Sequence, residues 1–289
     1  SIIPIINESL KKAKVLPKDI DCIAVTKGPG LISSLMIGVD TAKTLAYTWN
    51  KPIIGINHLE AHIYSNWLSA NSQPTASKFP SLCLVVSGGH TLLVLMKGHG
   101  KYKVLGSTRD DAAGEAFDKV AKLLKIGYPG GPIIERLARQ GNAKAFNLPR
   151  PMLAEKKFDF SFSGLKTAVI DVVRNQKSKI KSKKFIKDLC ASFQKAVVDV
   201  LIEKTIRAAK KYKVKSVLLC GGVAANKLLR RTLKQRIKKE LPSTAYHIPH
   251  PKYCTDNAAM IALAGYYHFK RKKFDSWKTL QANANAKLK

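Results

Sequence analysis

The spacing of apolar and polar residues predicts a chain of helices interleaved with short strands. An amphipathic pattern over residues 1–14 (Ile2, Ile3, Ile6, Leu10) predicts a helix, and Cys22 to Thr26 a strand. Gly28-Pro29-Gly30 then turns the chain into a helix carrying Leu35, Val39 and Leu45. Ile53 to Ile56 is a short buried strand, after which Asn57 can cap a helix containing His58-Leu59-Glu60-Ala61-His62. Residues 71–80, polar and bounded by prolines, are the linker candidate. Leu82 to Val86 and Thr91 to Met96 read as strands joined in a hairpin by Ser87-Gly88-Gly89-His90. Helical patterns follow at 112–125 and 132–140, and the alternation from Phe158 to Gly164 predicts a strand. Longer helical patterns cover 164–174 and 185–212. Val217 to Cys220 is a buried strand leading into Gly221-Gly222 and a helix from Asn226. A last helix runs from near Asp256 to about Phe269, before a polar tail. Strands alternating with helices make this an α/β chain, with a two-lobe split expected near residue 75.

At 289 residues the chain is long enough to bury a sizeable core. No apolar run approaches the roughly 20 residues of a membrane helix. Five scattered cysteines without a CxxC pair read as reduced thiols in a reducing compartment. The net charge of +32, from 51 Lys+Arg against 19 Asp+Glu, suits a polyanionic partner, nucleic acid first. Basic runs at Lys177 to Lys187, Lys204 to Lys215, Lys227 to Lys239 and Lys270 to Lys273 fall partly at helical spacing. Such runs are solvated faces in many proteins, so charge alone leaves both readings open.

The chemistry starts with the two histidines. Positions i and i+4 share a helix face, so His58 and His62 can converge on one ion, while Leu59, Ile63 and Trp67 form a separate apolar stripe. Glu60 lies two residues beyond His58, about 200° around the helix, and points away from that ion. A zinc peptidase places its glutamate directly after the first histidine, so this spacing argues against peptidase chemistry. Asp256, in Cys254-Thr255-Asp256-Asn257, is either a helix cap or a third ligand. As a ligand it completes two imidazoles and a carboxylate with open positions, a set suited to catalytic Fe²⁺ or Zn²⁺. Gly88-Gly89 admits close approach of an anion to backbone N–H groups, although a tight hairpin also uses glycine. Gly221-Gly222 ends a strand before a helix, where nucleotides sit in open α/β sheets. Tyr128-Pro129-Gly130-Gly131-Pro132 is a denser run of turn formers than a surface connection needs. Asp118, taken alone, reads as polar-face decoration.

These segments occur in a telling order: the histidine pair, Val86-Ser87-Gly88-Gly89-His90-Thr91, residues 111–119, residues 128–132, Phe160-Ser161-Phe162-Ser163-Gly164-Leu165-Lys166-Thr167, Gly221-Gly222-Val223-Ala224-Ala225-Asn226 and residues 254–257. Across nearly the whole chain they resemble the tRNA adenosine threonylcarbamoyltransferase family, once misnamed O-sialoglycoprotein endopeptidases. The resemblance implies an actin- and hexokinase-like α/β fold of two lobes around a central ligand cleft, here with a first lobe at 1–78 and a second at 79–289. It implies transfer of threonylcarbamoyl from threonylcarbamoyl-AMP to the exocyclic amine of the adenosine 3′ of the anticodon, in tRNAs reading codons that begin with A. His58, His62 and Asp256 would hold one divalent metal, Fe²⁺ ahead of Zn²⁺. Val85, Val86, Ser87, Gly88, Gly89, Asp118, Gly131, Glu135 and Asn226 would hold the adenylate. Glu135 departs from the aspartate that many relatives carry. The implied partners are tRNA, a paralogous actin-like protein and an ATPase, with no membrane involved. Relatives begin with strands bearing an acidic, Thr- and Ser-rich motif that is absent before Ser1, so the chain is expected to be a fragment. A cytoplasmic location is expected, with the mitochondrion as the alternative. An ATP-dependent small-molecule kinase of the same fold and a non-catalytic tRNA-binding scaffold are the rival readings.

Overall fold

The computed structural model describes residues 2–68, 78–176 and 182–288. The chain divides into two compact units, Ser1–Tyr64 with Asn257–Leu288, and Ser65–Asp256. The linker expected at 71–80 lies largely outside the described residues.

The first unit opens with α1 (Ile2–Ala13), amphipathic as expected yet with none of its residues buried. Strand β1 (Ile23–Gly28) pairs in parallel with β2 (Ile53–Asn57), Ile23 opposite Ile53. The helix between them, α2 (Ile32–Thr48), buries Leu35, Val39, Ala42 and Ala46, spaced at three to four residues as a single apolar stripe requires. The histidine helix, α3 (His58–Tyr64), follows β2 directly.

The second unit is built on a mixed sheet of order β5-β4-β3-β6-β7. Its centre, β3 (Ser81–Val86), is buried at every residue and pairs antiparallel with β4 (Thr91–Gly98) through the expected hairpin. Strand β5 (Lys101–Ser107) continues the sheet beyond β4 and was not foreseen. Its alternation covers only Lys101 to Val104, and Gly106 is its one buried residue. Helices α4 (Ala113–Leu123), α5 (Gly130–Ala138), α6 (Ser163–Asn175) and α7 (Lys183–Lys211) come next. Strand β6 (Ser216–Cys220) returns parallel to β3, and after α8 (Lys227–Glu240) the short β7 (Ala245–His247) lies parallel to β6.

Two sequence expectations are corrected in this unit. The strand expected over Phe158 to Gly164 does not form; only one isolated bridge joins Phe160 to Thr108. Phe158, Phe160 and Phe162 are all buried, so the alternation was real. The Asp110 carboxylate, however, accepts from the Phe162 and Ser163 N–H groups (2.8 and 3.2 Å) and turns the chain into α6. The second correction concerns Lys204, read as part of a solvated basic face. It is fully buried on α7, and its Nζ donates to the Lys157 carbonyl at 3.1 Å. Burial lowers its pKa.

The last helix, α9 (Ala258–Lys270), belongs to the first unit, as does the tail after it. The sequence boundary at 78/79 put both in the second lobe. A Cβ on Gly265 of α9 would stand 2.6 Å from the Ala24 Cβ, which shows how closely this helix lies on β1. Leu280 from the tail packs with Val39, Ala42, Ala46 and Ile53, while Asp275 accepts from the Gly55 N–H at 2.8 Å. Gly28 must be glycine: its φ is 146°, and a Cβ there would lie 1.9 Å from the Asn283 carbonyl oxygen. No helix among the described residues is long and apolar enough to cross a membrane, and all five cysteines are free thiols.

Candidate functional site

The histidine pair is positioned from the strand before it. Asn57 ends β2, and its Oδ1 accepts from the N–H groups of Leu59 (2.9 Å) and Glu60 (3.4 Å), the expected cap of α3. Its Nδ2 donates to the Lys287 carbonyl at 3.2 Å, which ties that cap to the tail. With His58 and His62 one turn apart, their rings meet edge to face with centroids 4.7 Å apart. His62 is buried and His58 half-buried.

Asp256 was expected to be either cap or ligand. The cap of α9 is its neighbour Asn257, whose side chain accepts from the Met260 N–H at 2.9 Å. The capping account of Asp256 therefore fails. One ligand atom each from His58, His62 and Asp256 lies within 4.8 Å of the others. Atoms bound to one ion at about 2.0–2.2 Å in tetrahedral or cis-octahedral positions stand about 2.8–3.6 Å apart, so the three would draw together by about 1–2 Å on binding one. Two imidazole nitrogens and one carboxylate fit Fe²⁺ or Zn²⁺ and leave coordination positions for a substrate.

Glu60 points elsewhere, as its helical position requires. It is almost fully buried, and both carboxylate oxygens meet His268 Nε2 on α9 (3.0 and 3.1 Å). Tyr64, one turn after Glu60, stacks on Tyr267, the residue before His268, with centroids 4.8 Å apart. This buried pair and stack fix α3 against α9. The residue directly after His58, where a zinc peptidase carries its glutamate, is Leu59.

In the second unit the other candidate residues gather where β3 and β6 end. The two strands run parallel, Val85 opposite Cys220, so their C-terminal ends lie side by side. Here the glycines divide into two kinds. Gly114, Gly130 and Gly221 are dictated by packing: a Cβ on each would come within 2.5 Å of a backbone oxygen, of Ser87, Phe117 and Val86 respectively. Gly88, Gly89, Gly131 and Gly222 have no neighbour within 4 Å of a built Cβ, and none has a left-handed φ. Neither backbone conformation nor packing calls for glycine at these four positions. Their open surroundings leave room for a ligand to approach the main chain.

Polar residues tie the surrounding helices together. Asp118 Oδ1 accepts from the Gly130 N–H (2.7 Å), joining α4 to the start of α5. Glu135 Oε1 accepts from the Lys227 N–H (3.2 Å) and pairs with Arg139 (3.1 Å), joining α5 to the start of α8. Asn226 caps α8 by accepting from the Leu229 N–H (3.0 Å), and its Nδ2 donates to Gln194 (2.8 Å). Ser87 closes the hairpin with His90, its N–H donating to the His90 carbonyl at 2.8 Å. Val85 and Val86, named by resemblance, are fully buried, so only main-chain atoms there can meet a ligand.

Several positioning residues had no sequence signal beyond their type. Thr91 Oγ1 accepts from the Ala113 N–H (2.9 Å) at the start of α4. Asp110 takes four hydrogen bonds from Ser161, Phe162 and Ser163. Partial burial pushes the Asp110 pKa up, but these donors outweigh it and hold the carboxyl below its usual value. Gly222 was visible as part of a double glycine, yet only the structure shows its surroundings to be open.

Residues 1–263 match the family model for tRNA N6-adenosine threonylcarbamoyltransferase. The protein of that name from Thermomicrobium roseum is 50% identical over 287 residues, covering 92% of this chain and 77% of its own. That from Listeria monocytogenes is 53% identical over 274 residues, covering 94% and 78%. Among solved structures, T. kodakarensis HypF superposes with a TM-score of 0.68 at 15% identity, over 93% of this chain and 43% of that one, a likeness of fold alone. The chain belongs to the tRNA N6-adenosine threonylcarbamoyltransferase family, a family of acyltransferases.

Proposed function

We propose that this protein transfers a threonylcarbamoyl group from threonylcarbamoyl-AMP to N6 of the adenosine 3′ of the anticodon, in tRNAs reading codons that begin with A. The observation carrying this reading is the set of four open glycines, Gly88, Gly89, Gly131 and Gly222, at the ends of β3 and β6. Backbone N–H groups of Gly88 and Gly89 bind the phosphate of the adenylate, and the Asp118 carboxylate accepts from a ribose hydroxyl. Glu135 and Asn226 keep the start of α8 in place beside the nucleotide. N6 attacks the carbamoyl carbon, the bond from that carbon to the phosphate oxygen breaks, and AMP leaves with the electron pair while N6 loses a proton. AMP is a good leaving group and N6 a weak nucleophile, so positioning supplies much of the rate. His58, His62 and Asp256 would hold a divalent ion, Fe²⁺ or Zn²⁺, which would supply Lewis-acid polarisation of the carbamoyl group. A paralogous actin-like protein and an ATPase complete the modification machinery, in the reducing compartment that the free thiols suit.

The kinase reading fits less well. A kinase holds Mg²⁺ through carboxylates and water, not through a histidine pair. The test is reconstitution with threonylcarbamoyl-AMP, tRNA and the partner proteins, followed by nucleoside mass spectrometry. Threonylcarbamoyladenosine is expected with the native chain and its loss with His58→Ala at unchanged far-UV circular dichroism. Equal yields from both would remove the metal site from the reaction, and ATP-dependent phosphorylation of a small molecule would favour the kinase.

A further inference from the structure

We infer that the outward face of α8, formed by Lys227, Arg231, Lys234 and Lys238, is the surface on which the phosphate backbone of the RNA substrate lies. The inference rests on the proposed tRNA reading. These residues stand at i, i+4, i+7 and i+11, within about 60° of one another around the helix and over about 16 Å of its length. All four are exposed.

The stripe keeps four unneutralised cations in line on one helix face. Other cations nearby are committed. Arg230 binds the Ala224 and Pro249 carbonyls and the Cys254 sulfur. Arg236 pairs with Glu203 and Glu240, and Lys210 pairs with Glu240. Glu240 is the acid that α8 itself carries, and hydrogen bonds from Lys210 and Arg236 hold its pKa down. Glu135, beside the first turn, is paired with Arg139. Among the described residues, none of the four stripe side chains forms an ion pair.

The stripe also has a direction. The Lys227 N–H donates to Glu135, and Asn226 caps the helix, so one end of the stripe is at the adenylate cradle. From there the cations lead away along α8. A backbone laid on this face would be held with a base near the nucleotide site. A membrane surface fits poorly, because an interfacial helix offers its apolar face to lipid, and Leu229, Leu233 and Ile237 of α8 are buried.

The test compares two charge reversals of equal size in the full chain. R231E/K234E/K238E removes the stripe but leaves Lys227 beside the cradle. K97E/K101E/K103E reverses three exposed lysines of β4 and β5 in the same unit. Binding of unmodified tRNA is measured by filter retention over a range of KCl, and AMP binding by calorimetry. The stripe variant is expected to bind tRNA about tenfold or more weakly and to lose about 2–3 from the slope of log K against log[salt]. The β4–β5 variant is expected within about twofold of native, and AMP affinity unchanged in both. Equal losses in the two variants, native-like tRNA binding by the stripe variant, or lost AMP binding in it would each overturn the inference. A native chain that binds tRNA through α8 without modifying it would sink the transferase reading and leave this one standing. A stripe variant that binds and modifies like native would do the reverse.

Discussion

Replacing Gly89 with alanine should separate ligand binding from folding, and Gly114→Ala is its internal contrast. At Gly114 the added Cβ would stand 2.5 Å from the Ser87 oxygen and 2.8 Å from the Gly88 Cα, both backbone atoms that cannot swing aside. Overpacking of this kind costs about 1–3 kcal/mol, against about 1 kcal/mol gained in helix propensity within α4. A net loss of up to about 2 kcal/mol lowers Tm by up to about 8 °C in a domain of this size. At Gly89 the Cβ meets nothing within 4 Å and the φ is one that alanine adopts. Its restriction of the unfolded chain even stabilises by about 0.4–1 kcal/mol. The methyl group does occupy the space into which a phosphate must come to reach the turn's N–H groups. Losing one hydrogen bond to a charged oxygen costs about 1.5–3 kcal/mol, or about ten- to hundredfold in affinity. Differential scanning fluorimetry and calorimetric titration with AMP check both halves. Native AMP affinity in Gly89→Ala would place the phosphate elsewhere, and a Tm loss matching that of Gly114→Ala would show that the turn is packed after all.

Three further outcomes follow from particular contacts. Glu60→Ala strands His268 against α3 and should cost about 1–3 kcal/mol in urea unfolding, with metal retained less well after dialysis; unchanged stability would mean the pair contributes nothing. Asp110→Asn should be less stable than native at neutral pH. The native carboxyl has a folded-state pKa below its usual 3.8, so its stabilisation is complete above about pH 5 and is lost as pH falls through the folded value. The gap between the two proteins should therefore close below about pH 4, and a gap that widens with acid would refute the assignment. Burial pushes Cys190 up to about 12 and raises the Cys83, Cys220 and Cys254 thiols as well. Native protein at pH 8 should thus react with a thiol reagent at half-exposed Cys22 before any other, and equally fast labelling of a second cysteine would contradict the core packing.

The parts legible from sequence were those written locally. The helix of the histidine pair, its Asn57 cap and the hairpin at Gly88-Gly89 each follow from spacing and residue type within a few positions. The direction of Glu60 followed from helix geometry, although its partner His268 lies 208 residues away. Non-local determinants were hidden. Nothing near Phe160 announces that the Asp110 carboxylate will capture the next two amides and end an apparent strand. Nothing in the polar tail announces that Leu280 completes a core with Val39 and Ile53. The same holds for the boundary between units: α9 joins β1 and β2 through contacts made more than 200 residues after them. At the candidate site, Asp256 could be joined to the histidines only by resemblance. The capping alternative falls away only when Asn257 is seen on the Met260 N–H.

The fate of Glu60 bears on why the proposed reaction would be a transfer and not a hydrolysis. In a helix of the HExxH kind, the glutamate next to the first histidine activates a metal-bound water. Here the carboxylate of α3 is two residues on, buried, and held by His268. On the proposed reading the donor is a mixed anhydride, which an activated water would destroy before N6 could attack. A site for such a donor gains from imidazoles that can hold an ion with no neighbouring base on the same helix, since excluding side reactions is itself part of catalysis. The spacing HxExH instead of HExxH thus does two things at once. On the proposed reading it keeps a potential general base away from the reactive carbonyl, and the same carboxylate locks α3 onto α9 through His268.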